Sequence, residues 1–128
     1  MDRRALLRNA LGLALAGSAA AACRQAPLQQ QITGEFAGRG SSAARADQIR
    51  RAGASLGWVI ETRAPGVLRG TLNRRGRQAV VDIPYDARRF SIRYAGSSNL
   101  SYDGTTINSD YNSYVQRLHR AILSQPAI

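Results

Sequence analysis

Residues 58–94 read WVIETRAPGVLRGTLNRRGRQAVVDIPYDARRFSIRY, and their spacing decides the fold. In VLRGTL, Leu68, Gly70 and Leu72 alternate with Val67, Arg69 and Thr71. QAVVDIPY places Ala79, Val81, Ile83 and Tyr85 on one side, and RFSIRY sets Phe90, Ile92 and Tyr94 against Ser91 and Arg93. Successive side chains of a strand point to opposite faces, so period-two alternation predicts strands with one face covered and one wet. The breaks between them are short and turn-like: APG with Pro65 and Gly66, then NRRG, then DAR. Short turns join antiparallel neighbours, which predicts a three- to four-stranded meander.

The pattern changes period on both sides. Upstream, SSAARADQIRRAGASLGW brings Ala46, Ile49, Ala52, Gly53 and Leu56 to one face of a helix and leaves Arg45, Asp47, Arg50 and Arg51 mostly off it. Ser41 or Ser42 can cap its start and Gly57 can end it. Downstream, Ile107, Tyr111, Tyr114, Val115, Leu118 and Ile122 form the stripe of a second helix. Helix, strands, helix predicts an α+β domain over 41–128 with both helices on one face of the sheet. The expected core is Trp58, Leu68, Val81, Ile83, Phe90, Ile92, Tyr114, Leu118 and Ile122. Residues 23–40 are polar, with Pro27, a glutamine run and three glycines. They read as a flexible tether contributing little to the core, with room for a short strand at 32–36.

The chain has 128 residues, enough for one small domain. It carries 18 basic and 8 acidic residues, for a net charge of +10. All the basic residues are arginine, whose guanidinium grips phosphate or carboxylate with two donors at once. A single cysteine, Cys23, excludes an internal disulfide and any multi-cysteine metal site.

Cys23 is explained by what precedes it. Arg3, Arg4 and Arg8 form a positive start, and residues 10–22, ALGLALAGSAAAA, carry no charge. As a helix this run spans about 20 Å, short of the roughly 30 Å hydrocarbon layer of a bilayer. It therefore reads as the apolar part of a signal peptide over residues 1–22. Ala21-Ala22-Cys23 resembles the lipobox of bacterial lipoproteins, with alanine at position 20 where leucine is commonest. That resemblance implies cleavage before Cys23, acylation of Cys23 (palmitate and related chains), and membrane attachment facing the periplasm. Arg24, in place of an aspartate, favours the outer membrane. Arg3, Arg4, Leu7 and Arg8 also resemble a twin-arginine signal, so the general and the twin-arginine export routes both stay open.

The domain is similar to small uncharacterised proteobacterial lipoproteins of helix–meander–helix architecture. The similarity rests on Gly57-Trp58, on Tyr94, Ser97, Asn99, Leu100 and Tyr102, and on Tyr111-Asn112, within residues 42–123. It implies a fold and an envelope location, and no activity.

No catalytic motif emerges. The acids Glu35, Asp47, Glu61, Asp82, Asp86, Asp103 and Asp110 are scattered, and Ser97 and Ser98 lack a nucleophile frame. His119, the one histidine, sits beside the helix stripe as a boundary residue. No catalytic residue, metal ligand or cofactor is assigned. Two stretches carry candidate partner-binding residues. The first is the polar-aromatic loop at 94–103, through Tyr94, Asn99 and Tyr102. The second is the pair of arginine clusters, Arg74, Arg75 and Arg77 at one hairpin and Arg88 and Arg89 at another.

Removing residues 1–22 takes away Arg3, Arg4, Arg8 and Asp2 and leaves 15 arginines against 7 acids. Such a balance suits nucleic acid, which an exported chain seldom meets, so anionic lipid headgroups or an acidic envelope protein are the expected partners. Successive turns of a meander fall at opposite ends, so the two clusters are expected on opposite rims, binding diffusely. The function expected is a membrane-anchored, non-enzymatic binding or assembly module. The alternative is a small periplasmic ligand-binding or catalytic domain built on the 94–103 loop.

Overall fold

The computed structural model describes residues 24–126. The expected signal peptide, residues 1–22, and Cys23 lie outside them. Nine elements follow in order: β1 (Gln25–Pro27), β2 (Gln31–Glu35), α1 (Ser42–Ser55), β3 (Trp58–Ala64), β4 (Val67–Arg74), β5 (Arg77–Pro84), β6 (Arg89–Ser98), β7 (Thr106–Asn108) and α2 (Ser109–Ser124). The architecture is α+β, with one five-stranded antiparallel sheet in the order β2-β6-β5-β4-β3 and a two-stranded ribbon of β1 and β7.

The meander β3–β6 forms as the alternation dictates. Leu68, Gly70 and Leu72 on β4, Ala79, Val81 and Ile83 on β5, and Phe90 and Ile92 on β6 are buried, while their neighbours along each strand are not. Both helices lie on this buried face, joining Ile49 and Ala52 of α1 and Tyr111, Val115, Leu118 and Ile122 of α2 to one continuous core. Ser41 caps α1, its hydroxyl accepting from the Ala44 amide at 3.1 Å. Gly57 ends it at φ 89°, a left-handed conformation that favours glycine, with its amide donating to Ala54 O. The other sheet face is polar and cross-linked between strands. Arg69 grips Asp82 with two donors at 2.8 and 3.2 Å, Arg93 donates to Gln31, and Thr33 meets Ser91.

The expected architecture is corrected in four places. First, the sheet has five strands, because β2 adds to the β6 edge with Ile32 opposite Ile92 and Gly34 opposite Phe90. Residues 25–36 are therefore part of the fold and not a tether, and Leu28 and Phe36 enter the core. Second, β6 runs on to Ser98 past a bulge at Ala95, where Val80 pairs with Gly96 but Val81 pairs with Tyr94. The loop after it is shorter than the sequence suggests.

Third, Arg45, expected off the helix face, is 1% exposed and lies in the core beside the buried Gln48. Its guanidinium is surrounded by acceptors from three separate segments, so burial leaves no donor-starved carbonyl behind. Fourth, Tyr114 is only half-buried, and Tyr111 fills the core in its place. At about 100° per residue, position 114 stands at the margin of the stripe defined by 111, 115, 118 and 122. There its ring lies under the Arg74 guanidinium, 5.8 Å from the ring centre.

Candidate functional site

The β4–β5 hairpin ends in a tight turn, Arg74-Arg75-Gly76-Arg77. Arg75 and Gly76 both have positive φ, 52° and 76°. Two consecutive left-handed residues make the turn that matches strand twist, and asparagine or glycine is the usual first residue. An arginine held there presents a long cationic side chain at the tip. Asn99, itself left-handed at φ 56°, donates from its side-chain amide to Gly76 O at 2.8 Å and braces the turn from the side.

The hairpin leans on α2. Arg77 pairs with Asp110 in the helix's first turn, and Arg74 donates to Leu56 O while stacking on Tyr114. Hydrogen bonding to Tyr114 and Asp110 pushes the Arg77 guanidinium above its ordinary pKa. Between hairpin and helix lies a cleft of about 260 Å³ lined by Arg74, Arg75, Arg77, Asp110, Ser113, Tyr114 and Arg117. Four guanidinium groups thus face one carboxylate. Among the described residues, Arg75 and Arg117 have neither an ion pair nor a hydrogen bond from their side chains, and both are exposed. Arg117 is a member of this group that sequence reasoning missed. It lies far from the hairpin in the chain, and only the packing of α2 brings it near.

The Arg88–Arg89 turn joins β5 to β6 and so lies at the opposite end of β5 from Arg77. Two acids, Glu35 and Asp86, stand beside its two arginines, although the exposed Arg88 guanidinium has neither an ion pair nor a hydrogen bond among the described residues. Arg89 pairs with Glu35 at 3.4 Å, and the Asp86 carboxylate accepts from the backbone amides of Arg88 and Arg89 at 2.7 and 2.8 Å. The five arginines named from sequence therefore form two separate rims, one with surplus positive charge and one close to balance.

The polar-aromatic segment is turned towards the protein itself. Tyr94 stacks on Tyr102 at 4.8 Å and meets Tyr111 edge-on at 5.4 Å, and its hydroxyl shares a hydrogen bond with Ser97 at 2.8 Å. Leu100 is buried, and the Tyr102 hydroxyl donates to Gly104 O. Asp103 closes the loop by accepting from the amides of Thr105 and Thr106 and from the Thr106 hydroxyl. These bonds hold its carboxyl below the ordinary value of 3.8, the Thr106 amide contributing most.

A carboxylate depressed by folding adds stability above its unfolded pKa and loses it as pH falls through the folded one. Asp103→Asn should therefore flatten the acid limb of the stability profile below about pH 4, a range set by the ordinary carboxylate value. Urea midpoints compared between pH 7 and pH 3 check this. An unchanged difference between wild type and variant across that range would mean Asp103 is not linked to folding.

His119 lies at the α2 boundary as expected, its Nε2 3.1 Å from Thr33 O and its ring against Phe90. Among the described residues, no group of three or more His, Cys, Asp or Glu side chains could hold a metal ion. The other open-face acid, Glu61, stands opposite Arg69 in register without an ion pair within 4.0 Å among the described residues. No family model, no curated protein and no solved structure matches this chain.

Proposed function

We propose that this chain is a lipid-anchored protein of a bacterial envelope, serving as a non-enzymatic binding or assembly module at an anionic membrane surface. Residues 1–22 direct export, Cys23 becomes the acylated first residue, and the folded domain follows. Arg24 in the position after the cysteine favours the outer membrane. The observation that carries the reading is the uncharged run 10–22, set behind Arg3, Arg4 and Arg8 and ending in Ala21-Ala22-Cys23. A lone cysteine in an exported chain needs such an explanation.

The surface supports a binding role of an electrostatic kind. Positive charge is in excess, and two unpaired arginines, Arg75 and Arg117, line a polar cleft rather than an enclosed apolar one. The alternative, a ligand or catalytic site on the 94–103 loop, lacks a supporting contact, since Tyr94, Asn99 and Tyr102 all hydrogen-bond within the chain.

Intact mass measurement of protein extracted from membranes tests the anchor. The N-terminal peptide should begin at Cys23 and carry added acyl mass. Cys23→Ser should leave the protein in the soluble fraction or stall it as the uncleaved precursor. A wild-type chain recovered soluble with a free thiol would overturn the reading.

A further inference from the structure

We propose that the rim formed by the β4–β5 hairpin and the exposed side of α2 is the face this domain lays against anionic phospholipid headgroups, with the Arg88–Arg89 rim turned away. The proposal rests on the lipid-anchor reading and adds an orientation to it.

The first argument is where the chain enters the fold. Arg24 O accepts from the Ser109 amide at 2.9 Å, and Gln25 pairs with Asn108. The polypeptide therefore joins the domain at the first turn of α2, next to Asp110, which holds Arg77. Cys23 is one residue upstream of Arg24. Two residues reach at most about 7 Å, less than the screening length of about 8 Å at physiological salt. A flexible tether over 23–40 would have let the domain wander by roughly 20–25 Å, well beyond that length. Because 25–36 are strands, the leash is short, and the rim beside it is held where headgroup charge is still felt.

The second argument is charge. The rim beside the chain entry has four arginines and one acid, and Arg75 and Arg117 lack partners among the described residues. The far rim has Glu35 and Asp86 against Arg88 and Arg89. Guanidinium groups bind phosphate with paired donors, and the turn holds Arg75 at its tip at φ 52°. The site is an open edge, so it suits a layer of headgroups better than one enclosed phosphate.

The test uses the chain as extracted from membranes, expected to begin at an acylated Cys23. It is reconstituted in phosphatidylcholine vesicles and in vesicles of phosphatidylcholine with phosphatidylglycerol, then treated with an arginine-selective glyoxal and mapped by mass. Arg75 and Arg117 should react roughly fivefold more slowly on the anionic vesicles, the ratio that about 1 kcal/mol per basic side chain converts to. Arg88 should react alike on both, and 1 M salt should abolish the difference, since screening then acts within about 3 Å. Equal reactivity of Arg75 and Arg117 on the two vesicles, with acyl mass present on Cys23, overturns the orientation and leaves the anchor standing. Equal protection of Arg75 and Arg88 overturns it too, showing association without a preferred face. Absence of acyl mass on Cys23 overturns both readings.

Discussion

Arg45→Leu is expected to destabilise the domain by about 3–5 kcal/mol, because several acceptors held by this one guanidinium lose their donor together. The guanidinium is 1% exposed and lies over the Phe36 ring at 4.6 Å. It donates to Ala87 O at 3.0 Å, to Gly38 O at 2.7 Å, to Ala37 O at 3.2 Å and to the Gln48 side-chain oxygen at 3.0 Å. Gln48 passes the connection on to Ile122 O at 2.8 Å. No ion pair with Arg45 occurs among the described residues, so its charge is balanced by backbone dipoles from the 36–41 loop and the β5–β6 turn.

Leucine would fill part of the volume and leave those carbonyls facing nothing, and each unsatisfied buried group costs about 1–3 kcal/mol. Water reaching the part-buried carbonyls limits the sum. Lysine keeps the charge but not the flat, branched donor geometry, so Arg45→Lys should recover only a fraction. The check is urea unfolding beside Arg50→Leu, which removes two exposed contacts, to Asp47 at 3.4 Å and to the Thr62 hydroxyl at 2.8 Å, and should cost about 1 kcal/mol or less. Equal losses for the two would show that the Arg45 network does not hold the loops.

That network also shows why the sequence told only part of the fold. The meander was legible because β4, β5 and the first half of β6 alternate without a break, and each of their buried positions is filled by an apolar side chain or Gly70. β2 and the residue after it alternate too, Ile32, Gly34 and Phe36 against Gln31, Thr33 and Glu35, but glycine stands among the inward positions. A Cβ at position 34 would lie 2.5 Å from the Phe90 ring and 3.1 Å from His119 Nε2. The tertiary contact that demands glycine there is what thins the local signal for a strand. Arg45 misleads in the opposite sense. A cation near a helix N-terminus opposes the helix dipole, and an arginine is seldom wholly buried. Its place in the core depends on acceptors at 37, 38, 48 and 87, which no local pattern brings together.

The candidate site divides along the same line. The separation of the two arginine clusters followed from hairpin order alone, whereas Arg117 and the balancing of Arg88 and Arg89 depended on packing. The residues behind the family resemblance are explained as fold. Gly57 ends a helix, Trp58 and Leu100 are core, Tyr94 and Ser97 bond to each other, and Asn99 braces a turn. Asn112 accepts from the Gln29 amide and donates to Pro27 O, which fastens the segment between β1 and β2 to α2. A motif made of such contacts marks an architecture. The surface that could meet a partner is carried instead by arginines that no such contact demands.

Leu118→Ala is expected to cost about 3–5 kcal/mol, in the upper part of the range for large-to-small core substitutions. Leu118 is 0% exposed, and it sits mid-helix between Val115 and Ile122 in the core stripe. The size of the penalty depends on whether neighbours can close the void, and here the helix that would have to move is fastened along its length. Asn108 caps it, accepting from the Asp110 amide at 2.9 Å, and Asp110 holds Arg77. Asn112 is tied to the β1–β2 segment, His119 to Thr33 O, and Ile122 O accepts from Gln48. Moving α2 inward would break several of these bonds, so the cavity stays largely open. Arg117→Ala, on the exposed neighbour, should fall within about 0.5 kcal/mol, and chemical denaturation of the pair separates the two. A Leu118→Ala loss as small as that of Arg117→Ala would mean that α2 does not pack on the sheet through this face.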